Sequence, residues 1–164
     1  PHGGKLMEKV HVELTQAVQT LLQAAVDGGA LGVSLTVDRA NVVAEPLEAA
    51  NEPKIVVYPG ERTAGESGRG GSERTYRVYV AIMEQIDTHG DAAARLARED
   101  LLIGLAELVE QTLEHTAFEL DSGLQLQWLQ ADSLGAPTQP YFAPALYTLN
   151  QFTAVVSATY MTVF

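Results

Sequence analysis

Apolar residues Val10, Leu14, Ala17, Val18, Leu21, Leu22 and Ala25 recur at three- and four-residue steps, so they share one face of a helix running from about Glu8 to Val26. Gly28-Gly29 stops it, because glycine enters the left-handed region without a Cβ clash. Val33, Leu35 and Val37 then alternate with Ser34 and Thr36, the period of a half-buried strand. After an acidic connection over 38–52 comes a β-branched run bounded by prolines, Pro53-Lys54-Ile55-Val56-Val57-Tyr58-Pro59-Gly60. It predicts a second strand with the prolines at its ends, since proline cannot donate to a ladder.

Between Gly60 and Thr75 the chain holds five Gly, three Glu and three Arg and no apolar side chain larger than Ala64. That composition predicts a long mobile surface loop. From Arg74 to Ile86 the pattern alternates again, with Tyr76, Val78, Val80 and Ile82 on one face and Arg77, Tyr79, Ala81 and Met83 on the other. Asp91 is placed to cap a long helix whose stripe is Leu102, Leu105, Ala106, Val109 and Leu113, widened by Leu101 and Leu108 and ending near Thr116. Leu124, Leu126 and Trp128 alternate with glutamines as a short strand, and Gln151 to Phe164 forms a second long one. The two long strands, 74–86 and 151–164, are natural antiparallel partners and predict a two-stranded arm. The expected fold is α+β: a mixed or antiparallel sheet of four to five strands against two main helices.

Composition adds an asymmetry. The 164 residues carry a formal charge of −11 and include no cysteine, so disulfides, thiolate metal sites and thiol nucleophiles are excluded. Residues 1–98 contain all ten Lys and Arg; residues 99–164 hold eight acids and no Lys or Arg. An acidic half of this kind repels a phosphate backbone, which argues against nucleic-acid binding. From Ser133 to Phe164 there is no charged side chain at all. Such a stretch, with high β-propensity and no gatekeeper charge, must lie in the core or against another chain. No apolar run approaches the roughly 20 residues that cross a bilayer, so no membrane partner is expected. Pro1 to Leu6 resembles an artificial leader ahead of a natural start at Met7, leaving 7–164 as a single domain.

Candidate chemistry is sparse. Gly60-Glu61-Arg62-Thr63-Ala64-Gly65-Glu66-Ser67 has the glycine spacing of a phosphate loop, but Glu66 stands where such a loop needs lysine. The glycine-flanked Ser67 does not fit a nucleophile elbow. His11, His89 and His115 are isolated from one another in sequence, so no metal and no cofactor are expected. Glu107, Glu110 and Glu114 follow one face of the long helix with no cation within a turn. They form a solvated face, a carboxylate site for a ligand-binding or metal-dependent enzyme with His115, or an acidic surface awaiting a basic partner. The clustered cations that could meet them are Arg62, Arg69, Arg74 and Arg77, on a second copy packed side by side. Tyr141, Phe142 and Tyr147, in the proline-broken stretch 135–147, are further interface candidates.

The order of elements resembles the tail-terminator and tail-completion proteins of long-tailed bacteriophages. The likeness is carried by the amphipathic first helix, the Pro53–Pro59 strand, the aromatic strand Thr75-Tyr-Arg-Val-Tyr-Val-Ala-Ile82, the long helix and the closing strand Phe152-Thr-Ala-Val-Val-Ser-Ala-Thr-Tyr160. It implies a non-enzymatic virion protein, assembled in the host bacterial cytoplasm, whose copies close into a ring, a hexamer by resemblance. The ring would cap the tail tube protein and present a surface to the head connector. A head-completion or neck adaptor is the alternative within that class.

Overall fold

The computed structural model describes residues 9–41, 53–67, 71–86, 91–131 and 151–163. In chain order they form α1 (Val10–Asp27), β1 (Val37–Arg39), β2 (Lys54–Ser67), β3 (Gly71–Gln85), α2 (Ala92–Leu113), β4 (Phe118–Glu119), β5 (Gln125–Ala131) and β6 (Gln151–Val163). The strands make one six-stranded mixed sheet in the order β1-β2-β3-β6-β5-β4. Only β1 and β2 run parallel; every other neighbouring pair is antiparallel. The class is α+β, with more strands than the sequence predicts.

Alternation decides which side of the sheet is buried. Tyr76, Val78, Val80 and Ile82 of β3 lie beside Phe152, Ala154, Val156 and Tyr160 of β6 on one face. Both helices cover that face, α1 with Val10, Leu14, Val18 and Leu22, and α2 with Leu102, Leu105, Val109 and Leu113. The helices end where their sequences direct: Gly28 closes α1, and the Asp91 carboxylate accepts the Ala93 N–H at 3.1 Å to start α2. On the other face Val56, Ala81 and Met83 form a small buried cluster with Ala40 and Tyr58 against it, while Val155 stays 41% exposed.

Four expectations are corrected. The segment 60–75 is not a loop: β2 and β3 form a hairpin whose ladder continues from Arg62↔Tyr76 to Ser67↔Gly71. Backbone pairing needs no apolar side chains, so a glycine-rich, charged composition does not exclude a ribbon. Strand 74–86 does pair antiparallel with 151–164, from Thr75↔Met161 to Gln85↔Gln151, but in the middle of the sheet. The two-stranded arm is instead the far end of the β2–β3 hairpin, beyond the last β6 partner. Leu101 and Leu108 do not widen the buried stripe of α2; they are 42% and 38% exposed.

The fourth correction is Val33–Thr36, which forms no strand; only Val37–Arg39 does. Two glutamines of α1 occupy the free edge there. The Gln23 amide donates to Leu35 O at 3.2 Å and accepts from Val37 N at 2.7 Å, and Gln19 donates to Val37 O at 2.9 Å. Side-chain amides thus stand in for a neighbouring strand.

At the opposite end of the core face Glu84 is buried beneath the first turns of α2, where the Arg98 guanidinium donates to both carboxylate oxygens through Nε and Nη2. Bidentate pairing compensates a carboxylate that lies almost wholly out of water. Arg98→Met removes the partner and leaves the charge. Urea denaturation is expected to show a loss of about 2–3 kcal/mol, at the low end for a buried pair because Arg98 keeps 38% of its side chain in solvent. A loss under about 0.5 kcal/mol would show that the pair is not an anchor.

Candidate functional site

Strand register brings the root of the arm, the start of α1 and the end of α2 to one end of the molecule. Arg62 is paired with Tyr76 and so projects from the helix-bearing face, as does Arg74 two residues before it. Arg77 falls on the opposite face, 3.7 Å from Glu61. The structure therefore gathers three of the four candidate arginines around the arm but divides them between its two sides. Arg69 lies outside the described residues, as do Tyr141, Phe142 and Tyr147.

A compact cluster holds the base of the arm on the outer face. Tyr79 stacks on Tyr58 with ring centroids 5.3 Å apart, and its hydroxyl donates to the Glu61 carboxylate at 2.7 and 2.8 Å. That bond, ahead of the Arg77 charge, holds the Glu61 carboxyl below its usual range. Gly60 makes the stacking possible: a Cβ there would fall 2.4 Å from the Tyr79 ring. The ladder shifts register between Pro59 and Arg62, a bulge that re-aims the strand as the arm leaves the sheet.

The helix-bearing face of the same end carries a row that sequence reasoning did not single out. Tyr76, Tyr160 and Trp128 are successive cross-strand neighbours on β3, β6 and β5. The His11 ring sits edge-on to Tyr76 at 5.1 Å, Phe118 edge-on to Tyr160 at 5.2 Å, and His115 against Trp128 at 4.5 Å. Tyr76 OH, Tyr160 OH, Trp128 Nε1 and Arg74 Nε are buried and have no hydrogen-bond partner among the described residues. Burial pushes the Tyr160 hydroxyl well up from its ordinary value, so it stays protonated as a donor. Even-numbered aromatics in two strands expected to pair are the signal that could have found this row; the missing piece was the register.

Glu107 and Glu110 are exposed on α2 and Glu114 is half-buried at its end. None of the three forms an ion pair with a described residue. His115, next in sequence, adopts φ +58° and turns onto Trp128, away from any shared site with the acids. Among the described residues no three His, Asp or Glu side chains come together as a set that could hold a metal ion. Nor is any helix there long and apolar enough to cross a membrane. The acids of α2 and the arginines of the arm, offered by the sequence as complementary, do not meet within one copy as ion pairs among the described residues. No family model matches the chain, and no curated protein is significantly similar to it.

His11 gives this end a pH response. Burial is the main cause holding its imidazole below the ordinary value, with the nearby Arg62 charge acting in the same direction and the bond to Arg77 O, at 3.2 Å, opposing. The unfolded chain takes up a proton near pH 6.5, whereas the folded chain takes it up only at lower pH. Stability from this group is therefore complete above that value and declines as pH falls through and below it. The denaturation midpoint is expected to drop between about pH 7.5 and about pH 5.5, with a shallower slope in His11→Gln. An identical slope in the variant would exclude His11 as the cause.

Proposed function

We propose that this chain is a structural, self-associating protein that closes into a ring, of the kind that caps a bacteriophage tail tube and offers a docking surface to the head connector. The observation that carries the reading is the arm. It leaves the sheet as a paired ribbon anchored by Tyr58, Gly60, Glu61 and Tyr79, and nothing within the described residues flanks it as a third strand beyond Arg74. A projecting ribbon with a built base is a device for reaching a neighbour. Further support comes from the outward face of the sheet, where Val155 of the charge-free closing strand is left in solvent, and from the unpaired acids of α2. A surface that is acidic overall also suits a lumen through which DNA passes without adhering.

The same features count against an enzymatic reading built on Glu107, Glu110, Glu114 and His115, since the histidine faces the tryptophan and the acids lie along an open helix flank. The order of elements and the closing strand resemble those of tail-terminator proteins, and in that setting the partners are further copies of the chain, the tail tube protein and the head connector.

Sedimentation velocity over a range of micromolar concentrations, with electron microscopy of the heaviest species, is expected to reveal closed rings of uniform size. Adding tail tubes is expected to place those rings at tube ends. A chain that sediments as a monomer at every concentration and leaves tube ends bare would overturn the proposal.

A further inference from the structure

Among the described residues six buried side-chain atoms have no hydrogen-bond partner: Arg74 Nε, Tyr76 OH, Tyr160 OH, Trp128 Nε1, Ser122 Oγ and Glu13 Oε2. All of them belong to one end of the molecule. Arg74 and Tyr76 are on β3, Tyr160 stands opposite Tyr76 on β6, and Trp128 stands opposite Tyr160 on β5. Ser122 is in the turn between β4 and β5, and Glu13 belongs to the start of α1, whose His11 ring meets Tyr76. Other buried polar groups are served: Arg98 donates to both oxygens of Glu84, and the Thr15 hydroxyl reaches the carbonyls of His11 and Val12. An unmet donor out of water is costly, so a concentration of them in one place, beside a core that satisfies its others, marks a receiving site.

Number and sign say what it receives. Four of these atoms are N–H or O–H donors on neighbouring positions of the sheet, with one positive charge among them, on Arg74, which forms no ion pair with a described residue. An ionised carboxylate only accepts, takes several hydrogen bonds on its two oxygens and carries the single negative charge that Arg74 balances. A dianion would bring a second negative charge to an end that already holds the Glu13 carboxylate. Tyr76 and Tyr160 are fully buried, whereas Arg74 and Trp128 are half-buried, so the open side of the row is that of the arginine and the indole. We infer that this row is a binding site for a small organic acid, its carboxylate taken by Arg74 Nε and the hydroxyls of Tyr76 and Tyr160, with the Trp128 N–H bonding a further oxygen of the ligand. The site stands independently of the ring.

Trp128 is the single tryptophan of the chain, so its emission reads the row directly. Titration with sodium lactate, at an ionic strength held constant with sodium chloride, is expected to shift that emission to saturation. Lactamide, the neutral amide of similar shape, is expected to leave it unmoved. Tyr160→Phe removes one donor and keeps the ring. Its half-saturating lactate concentration is expected to rise about tenfold, while its denaturation midpoint without lactate stays level or rises, because the hydroxyl it lacks had no partner. Arg74→Gln is expected to abolish the response. The site is overturned by wild-type protein that shows no saturable response to lactate or responds equally to lactamide, and by a Tyr160→Phe variant that binds lactate undiminished or unfolds earlier without it. Emission that moves with protein concentration and ignores lactate overturns it as well, by assigning the donors to a neighbouring copy.

Discussion

One strand, β3, is hydrogen-bonded along both edges for most of its length, to β2 from Met83 to Gly71 and to β6 from Gln85 to Thr75. Every other element takes its position from that double ladder. β6 carries β5, and β5 carries β4; α1 lies against β1 and β2, and α2 against β6. Because both helices lie on one side, the even-numbered side chains of β3 and β6 form the main core, and among the described residues a small cluster is buried on the reverse. Glu84, at the far end of β3, ties α2 to the same strand through Arg98. Loss of register in β3 would therefore displace the core, the arm and the anchor of α2 together.

Much of this was legible in the residues. Helix periodicity, the Asp91 cap and the pairing of 74–86 with 151–163 follow from side-chain pattern, which is the kind of information a sequence carries locally. The hairpin was not, because its outer half is held by backbone hydrogen bonds and by contacts such as Tyr79 on Gly60, which leave no hydrophobic period to find. Val33–Thr36 misled for the opposite reason: the alternation is real, and Val33 and Leu35 do pack partly against the core, but the backbone there is not part of a strand ladder. Leu101 and Leu108 fit a helical stripe by spacing alone; which flank of that stripe meets the sheet is a tertiary fact. The Glu84–Arg98 pair joins residues fourteen apart in different elements, beyond any local pattern.

The charge asymmetry of the chain becomes a spatial one in the fold. At the root of the ribbon Arg62 and Arg74 lie on the helix-bearing face and Arg77 stands 3.7 Å from Glu61 on the other, while Glu107 and Glu110 are exposed on α2. Among the described residues Glu107 and Glu110 form no ion pair with those arginines, so the field of these two acids is available to a second molecule. The aromatic row of Tyr76, Tyr160 and Trp128 stiffens the end of the sheet from which the ribbon departs, flanked by a histidine on either side.

The two glutamine amides that seal β1 bear on how such copies add up. A sheet with a bare margin invites the next sheet to continue it, and the next, without end, which is the geometry of a fibril. Among the described residues one margin is finished from inside by α1 at Val37, while at the other the two-residue β4 covers Gln125 and Leu126 of β5. Growth by sheet continuation is thereby hindered at the β1 margin, and in the proposed ring the number of subunits would follow from contacts that return upon themselves, fixed by angle and not by supply.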